Sequence, residues 1–258
     1  MGTNMDEDTE IYGGFAESYD LFMDNIPYDE WHTYLYSLLQ DYGVTDGILV
    51  DLACGTGSMT YRLAADGYDM IGIDQSCEML DIAREKCPES VLLLQQDMRE
   101  LDLYGSASAF VCVCDGMNYL LSEADLRQVF HQISLFLDPG GIFVFDMKTA
   151  YFYQNLLGSR TITDHREDMT LIWENEYHEE SAINEYLVTI YQLADRKRDL
   201  FERIEEYHRQ RAYSTQQVQV ALQEEGLQLE AVYDAFTRNV PGVESERVYY
   251  IAKLSQRS

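Results

Sequence analysis

The sequence predicts an α/β protein: a doubly wound, mostly parallel seven-stranded sheet carrying an antiparallel β insert after strand 5. Three observations predict it. Over residues 47–150, apolar runs alternate with helix-patterned segments, the order that yields a parallel sheet with helices on both faces. Those runs are near-continuously apolar, as strands are when both faces are covered. From about Ala150 the texture changes, and apolar or β-branched residues alternate with charged ones. That period of two marks antiparallel strands with one wet face.

In chain order, residues 1–10 read as a frayed acidic tail. Phe15, Tyr19, Phe22 and Met23 then fall at helical spacing, and Pro27 interrupts them. A second helix is expected from about Asp29 to Tyr42. Trp31, Tyr34, Leu35, Leu38, Leu39 and Tyr42 form its stripe, and Gly43 stops it. Such a helix can pack on a sheet or close over a ligand, and the spacing leaves both open; residues 1–46 are grouped as an N-terminal helical flap. Ile48–Leu52 reads as strand 1, Met59–Ala65 as a helix and Asp69–Asp74 as strand 2. Ser76 caps a helix through Lys86, broken by Pro88, and Val91–Gln95 is strand 3. Ala107–Cys114 is strand 4, and Ser122 caps a helix over Glu123–Leu137. Pro139-Gly140-Gly141 then turns the chain into strand 5, Ile142–Met147.

The insert, residues 151–213, offers three or four strands: Thr161–Thr163, Thr170–Tyr177, Ala182–Leu193 and Leu200–Tyr213. Ser214 to Gln217 resembles a capping box for a helix to Glu225, ended by Gly226. Leu229–Ala235 and Arg247–Leu254 close the sheet, so residues 47–150 and 214–258 form the core. No Ser/Gly linker flanks the insert, which predicts a cap on one globule.

Eighteen Lys and Arg stand against 46 Asp and Glu, a formal charge of −28. That balance disfavours nucleic acid, whose non-specific binding needs cations to neutralise phosphates. No run approaches the ~18 apolar residues of a membrane span, and no signal peptide is evident, so a cytoplasmic protein is expected. The cysteines (Cys54, Cys77, Cys87, Cys112 and Cys114) are odd in number, and four sit in predicted strands, helices or the glycine loop. They read as reduced thiols, and no metal site is expected.

Ligands of a doubly wound sheet bind at the carboxyl ends of its strands. Strand 1 ends at Asp51 and runs into the small-residue loop Ala53-Cys54-Gly55-Thr56-Gly57. Strand 2 ends at Asp74-Gln75, strand 3 leads to Asp97-Met98, strand 4 to Cys114-Asp115, and strand 5 to Asp146-Met147-Lys148. Each presents a carboxylate. Asp74 lies 23 residues after Asp51, close to the spacing at which an acid meets a ribose diol. Thr60 stands where a dinucleotide fingerprint needs its third glycine, which argues against a pyrophosphate and a nicotinamide dehydrogenase.

The segments LVDLACGTG, IGIDQSCEML, LLLQQDM and VCVCDGMNYLL, in this order and spacing, resemble the motifs of the class I S-adenosylmethionine-dependent methyltransferases, which have a Rossmann-like fold. The opening FAESYDLFM and PYDEW, with the β-rich insert, are similar to a bacterial small-molecule subgroup that includes amino-sugar N-methyltransferases. The resemblance implies S-adenosylmethionine as cofactor and a small-molecule methyl acceptor, N- or O-methylated by in-line transfer. It implies that Asp51, Ala53 and Gly55 line the methionine part and that Asp74 binds the ribose, with Gln75 and Met79 beside the adenine. Asp97 would accept from the adenine amine and Met98 cover the ring. Cys114 and Asp115 would lie near the sulfonium, and Tyr12, Tyr19 and Trp31 would close the pocket. Ala53, where many members carry glycine, is expected to be tolerated through a negative φ. No catalytic residue is assigned; Tyr119, Asp146, Lys148 and His165 are groups at the mouth that could take a proton from an amine. Arg211 and Tyr213 could contact an anionic acceptor. A cofactor-binding sensor and an RNA or protein methyltransferase are the alternatives, and a homo-oligomer stays open.

Overall fold

The apolar run Ile48–Leu52 forms β1 in the middle of a seven-stranded sheet, flanked by β4 (Ala107–Cys112) and β2 (Asp69–Asp74). The computed structural model describes residues 27–255. Tyr12 and Tyr19 lie outside them. Strand order is β10-β11-β5-β4-β1-β2-β3, with β3 at Leu92–Gln95, β5 at Leu137–Lys148, β10 at Leu227–Asp234 and β11 at Arg247–Leu254. β1 to β5 run parallel to one another, and β11 runs antiparallel to both β5 and β10. The chain reverses direction across the sheet between β1 and β4, the switch point where α/β sheets open a crevice.

Adjacent β1 residues face opposite ways, and both faces are covered. Val50 and Leu52 pack with Phe110, Phe143, Phe145 and Tyr250 under α4 (Glu123–Phe136) and α5 (Thr215–Glu224). Leu49 packs with Val111, Val144 and Ile251 under α1 (Tyr28–Asp41) and α2 (Ser58–Ala65). Helix α1 buries Trp31, Tyr34, Leu35, Leu38 and Leu39, the stripe its sequence periodicity marks, and so packs on the sheet. Ser76 caps α3 (Cys77–Lys86) by accepting from the Met79 N–H, and Ser214 with Gln217 forms a complete capping box on α5.

Several strand boundaries shift from the sequence expectation, and at two of them the physical reason is plain. β5 begins at Leu137, five residues early, because Leu137 pairs with Ala107 and the Pro139-Gly140-Gly141 segment is a bulge within the strand. A Cβ on Gly141 would stand 2.7 Å from the Ser108 carbonyl oxygen, so the bulge needs glycine there. β4 ends at Cys112, since Cys114 and Asp115 both take φ of +64° and bend the chain away.

The insert is a separate antiparallel sheet, β6-β7-β8-β9, comprising Thr161–Arg166, Met169–His178, Ile183–Asp195 and Leu200–Arg211. A short π-helical turn, Phe152–Leu157, leads into it from β5. Its inner face seats Met169, Leu171, Tyr186, Val188 and Ile190 against Met79 of α3, so the cap packs directly on the core.

Candidate active site

The loop after β1 is the floor of the crevice. Asp51 is buried beneath it, 2% exposed, and its Oδ2 accepts the Thr60 hydroxyl at 2.5 Å. Burial pushes the Asp51 carboxyl up to about 7, against the pull of the Thr60 hydrogen bond and with a further push from Asp74. Ala53 has φ of +52°, so the expected negative φ is corrected: the turn places this residue in the left-handed region and alanine carries strain there. Gly55 (φ +54°) faces open space, with nothing within 4 Å of where a Cβ would stand. Gly57 is different: its Cβ would meet Ala83 at 3.0 Å and Cys87 at 3.1 Å, so it lets α2 approach α3.

At the end of β2, Asp74 is 8% exposed and receives two backbone N–H groups, from Gly55 to Oδ2 at 2.8 Å and from Ser76 to Oδ1 at 2.9 Å. Each oxygen keeps a lone pair for a further donor. Burial raises its pKa, and the backbone hydrogen bonds from Ser76 and Gly55 oppose the rise. Gln75 is exposed beside it, and its carbonyl accepts from Gln95. Beyond β3, Asp97 is engaged by Arg99, whose Nη2 donates at 2.6 Å and whose backbone N–H donates at 2.8 Å. Burial would raise the Asp97 pKa, but these bonds and the Arg99 charge hold it below the ordinary value. Met98 packs, half-buried, against the core, and Met79 fills the seam between core and cap.

At the ends of β4, β5 and β11 lies a compact group of two acids and two bases. Asp146 is fully buried and accepts the N–H groups of Cys114 (3.2 Å) and Asp115 (2.9 Å), holding their left-handed backbone. It is thus a support beneath the site and not a mouth residue. Arg247 pairs with Asp146 at 2.7 Å and with Asp115, while Lys148 Nζ sits 2.6 Å from Asp115. Burial raises the Asp146 pKa. For Asp115 burial acts the same way, yet Arg247 and Lys148 prevail and hold it well below the carboxylate range. The Arg247 guanidinium lies 4.7 Å from the ring centroid of Trp31. A cavity of about 790 Å³ opens here, lined by Trp31, Lys148, Phe152, Phe236, Glu244 and Arg247 among others.

Several expected contacts fall elsewhere. His165 is exposed on β6, the edge strand of the cap, with Nδ1 3.1 Å from the Thr170 hydroxyl. Arg211 Nη1 donates to the Leu121 carbonyl and Tyr213 to the Leu120 carbonyl, so both tie the insert's return to the core. Tyr119 turns toward the cap and meets the Tyr186 hydroxyl at 2.7 Å. Arg247 and Asn118 were missed by the sequence reading. Asn118, fully buried in the 3₁₀ turn Gly116–Tyr119, donates to the carbonyls of Lys148 and Arg211 and accepts the Lys148 N–H. The position of Asn118 just after the strand 4 carboxylate was the one available signal; Arg247 at the start of an antiparallel strand offered none.

The residues present fit an adenosyl amino acid better than a dinucleotide. The crevice combines a half-free buried carboxylate on β2, an open glycine backbone on the first loop, and no third glycine, since Thr60 is buried under Asp51. Residues 49–141 match the family described as "Methyltransferase domain". The chain is 34% identical to "Putative methyltransferase YqeM" of Bacillus subtilis (strain 168), over 95% of this chain and 98% of that one. It is 32% identical to "dTDP-3-amino-3,6-dideoxy-alpha-D-glucopyranose N,N-dimethyltransferase" of Streptomyces fradiae, over 51% of this chain and 52% of that one. The solved structure of an S-adenosylmethionine-dependent methyltransferase from Clostridium acetobutylicum ATCC 824 superposes with a TM-score of 0.83 at 25% identity, covering 95% of this chain and 99% of that one. With a doubly wound sheet in this strand order and near-complete alignment to such relatives, the chain belongs to the S-adenosylmethionine-dependent methyltransferases.

Proposed function

We propose that the protein N-methylates a small molecule bearing an amine, bound in the cavity between Trp31, Phe152 and the β10–β11 loop. One observation carries this reading: the spare charge of that cavity is acidic. Lys148 and Arg247 on its wall are both engaged by Asp115, whereas Asp234, Glu244 and Glu246 line it as well. Such a wall attracts a cation and repels a carboxylate or phosphate. The volume, about 790 Å³, suits a small molecule, and aromatic faces with a few charged groups are the usual lining of such sites. The amino-sugar dimethyltransferase relative supports an amine acceptor. Acidic walls set against nucleic acid, and no helix among the described residues is long and apolar enough to cross a membrane.

S-Adenosylmethionine, when bound, supplies a methyl group already activated on a sulfonium. The chain therefore has to position and desolvate rather than activate. Asp74 would hold the ribose hydroxyls, and the Ala53–Gly57 loop would cradle the amino-acid end. Asp97, Met98, Gln75 and Met79 would border the adenine, with Asp51 bracing the loop from below. Cys114 and Asp115, fixed by Asp146, would stand at the reacting end, and Trp31 would form the wall shared with the acceptor.

Release of S-adenosylhomocysteine with amine probes (glycine, a dTDP-3-amino sugar) compared with hydroxyl and carboxylate probes tests the reading. Turnover confined to amines is expected. Turnover confined to hydroxyl or carboxylate acceptors would overturn it, and cofactor binding with no turnover on any class would favour a sensor.

A further inference from the structure

The wall of the acceptor cavity holds three aromatic rings, Trp31, Phe152 and Phe236, and they are not equivalent. The Arg247 guanidinium lies 4.7 Å from the Trp31 ring centroid, and the Lys148 ammonium lies 5.2 Å from that of Phe152. Each of those two rings already has a cation of the chain against it. Among the described residues no cation stands over Phe236. Its ring meets Trp31, Tyr34 and Tyr249 at tilted or edge angles, with centroids 5.5, 5.6 and 6.0 Å away, and it stays 44% exposed. Its backbone is held against preference as well. Phe236 takes φ of +61°, a left-handed conformation that a bulky side chain adopts only at a cost. The turn that imposes it is closely tied. Thr237 N–H donates to the Asp234 carbonyl at 3.1 Å, Asp234 N–H to the Asn239 carbonyl at 2.9 Å, and the Tyr34 hydroxyl to the Thr237 carbonyl at 2.6 Å. Arg238 clamps the same turn to Asp41 of α1 at 2.6 Å. Packing alone does not account for a ring that is both strained and open. The cavity is also graded. Arg247 and Lys148, engaged by Asp115, are mostly covered, whereas Phe236 and Val243 form an apolar, exposed rim on the β10–β11 loop.

We propose that Phe236 is the specificity-determining residue of the acceptor site, and that the acceptor is an amine carried on a flat or ring-shaped apolar body that stacks on the exposed face of Phe236. The proposal rests on the amine reading above and narrows it to a substrate class. A ring seated on Phe236 buries apolar surface on both partners and gains the offset or edge contact that aromatic pairs favour. The exposed carboxylates of Glu244 and Glu246, on the same loop, draw a cationic amine to the mouth. The body then rests on the rim, and the amine extends toward the Asp115 end. An amine on a short or flexible chain offers the rim nothing to hold and is the poorer ligand. The tied turn fixes the Phe236 backbone before the acceptor arrives, so little ordering is left to oppose binding. On this account the strain at φ +61° serves preorganisation of one contact surface.

Three probes test this on the full chain saturated with S-adenosylhomocysteine: tryptamine (amine and ring), n-butylamine (amine without ring) and indole (ring without amine). Each is titrated by ligand-observed NMR against wild type, Phe236→Leu and Phe236→Tyr. Leucine keeps a large apolar side chain at the same backbone position and removes the flat face; tyrosine keeps the face. Tryptamine should bind wild type about tenfold more tightly than either of the other two. Phe236→Leu should weaken tryptamine and indole about fivefold and leave n-butylamine within about twofold, and Phe236→Tyr should keep the wild-type order. A ring that merely fills the loop would, when replaced, lower the melting temperature and weaken all three probes alike, or none. Either pattern would overturn the proposal. So would a wild type that binds tryptamine no better than n-butylamine, or that binds neither tryptamine nor indole. Equal affinity for tryptamine and indole, with both weakened in Phe236→Leu, would defeat the amine reading and still support Phe236 as the surface that selects the acceptor's body.

Discussion

Three residues in and beneath the first loop carry distinct costs, and each cost is measurable. Ala53 sits at φ +52°, where an L side chain is strained by ~1–2 kcal/mol, while glycine loses ~0.5–1 kcal/mol through unfolded-state entropy. Ala53→Gly should therefore raise unfolding free energy by about 0.5–1 kcal/mol, read from the urea midpoint. Gly57→Ala should do the reverse, by ~2–3 kcal/mol, because strain at φ +73° adds to a Cβ set 3.0 Å from Ala83. Asp51 links the loop to pH. Its carboxyl titrates near 7 when folded against an ordinary 3.8, so the folded chain holds a proton that the unfolded chain releases in between. Stability from this group thus falls as pH rises from about 4 to 7. Asp51→Asn should flatten that fall in urea titrations across the window, and an unchanged slope would contradict the burial account. At this scale the sequence was legible where a residue acts through its neighbours in the chain: Asp74, the glycine loop and Asp115 all lie at the expected strand ends. It was illegible where partners come from distant strands. Arg247 meets Asp115 across 132 residues, and nothing local marks it.

Elements were legible wherever a terminus has its own chemistry. The N-cap serines of α3, α4 and α5, with Pro88 after α3 and Gly226 after α5, placed these helices to within a residue or so, and Ser214→Ala should cost about 1 kcal/mol by loss of the α5 cap. Boundaries set by tertiary pairing were not legible: β5 gained five residues through its bulge, and β4 lost two to the left-handed turn at Cys114 and Asp115. The joint between core and cap depends on Asn118, whose side chain makes three hydrogen bonds to β5 and to the end of β9. Asn118→Ala removes all three and leaves buried backbone groups unpaired, so a loss of ~3 kcal/mol is expected. Hydrogen exchange should show it first in β9. Protection lost uniformly across the sheet, or not at all, would contradict the assignment of Asn118 as the joint.

For the whole molecule, the charge of −28 destabilises the compact state by self-repulsion, and salt screens it. The melting temperature should rise between low salt and about 0.5 M sodium chloride; a fall would mean that attractive pairs such as those at Asp115 dominate. Class and topology were the most legible properties, because alternating apolar runs constrain a parallel sheet and period-2 runs constrain the cap independently. The acceptor was the least legible, since the cavity proposed for it joins α1, the end of β5 and the β10–β11 loop, which are remote in sequence. The central claim is that the Asp74–Gly55 edge holds the adenosyl group. Calorimetric titration of S-adenosylhomocysteine into wild type and Asp74→Asn tests it most directly. The account predicts saturable one-site binding to wild type and affinity reduced ~10–100-fold in the variant, with an unchanged circular dichroism spectrum. Equal affinity in the two proteins would contradict it.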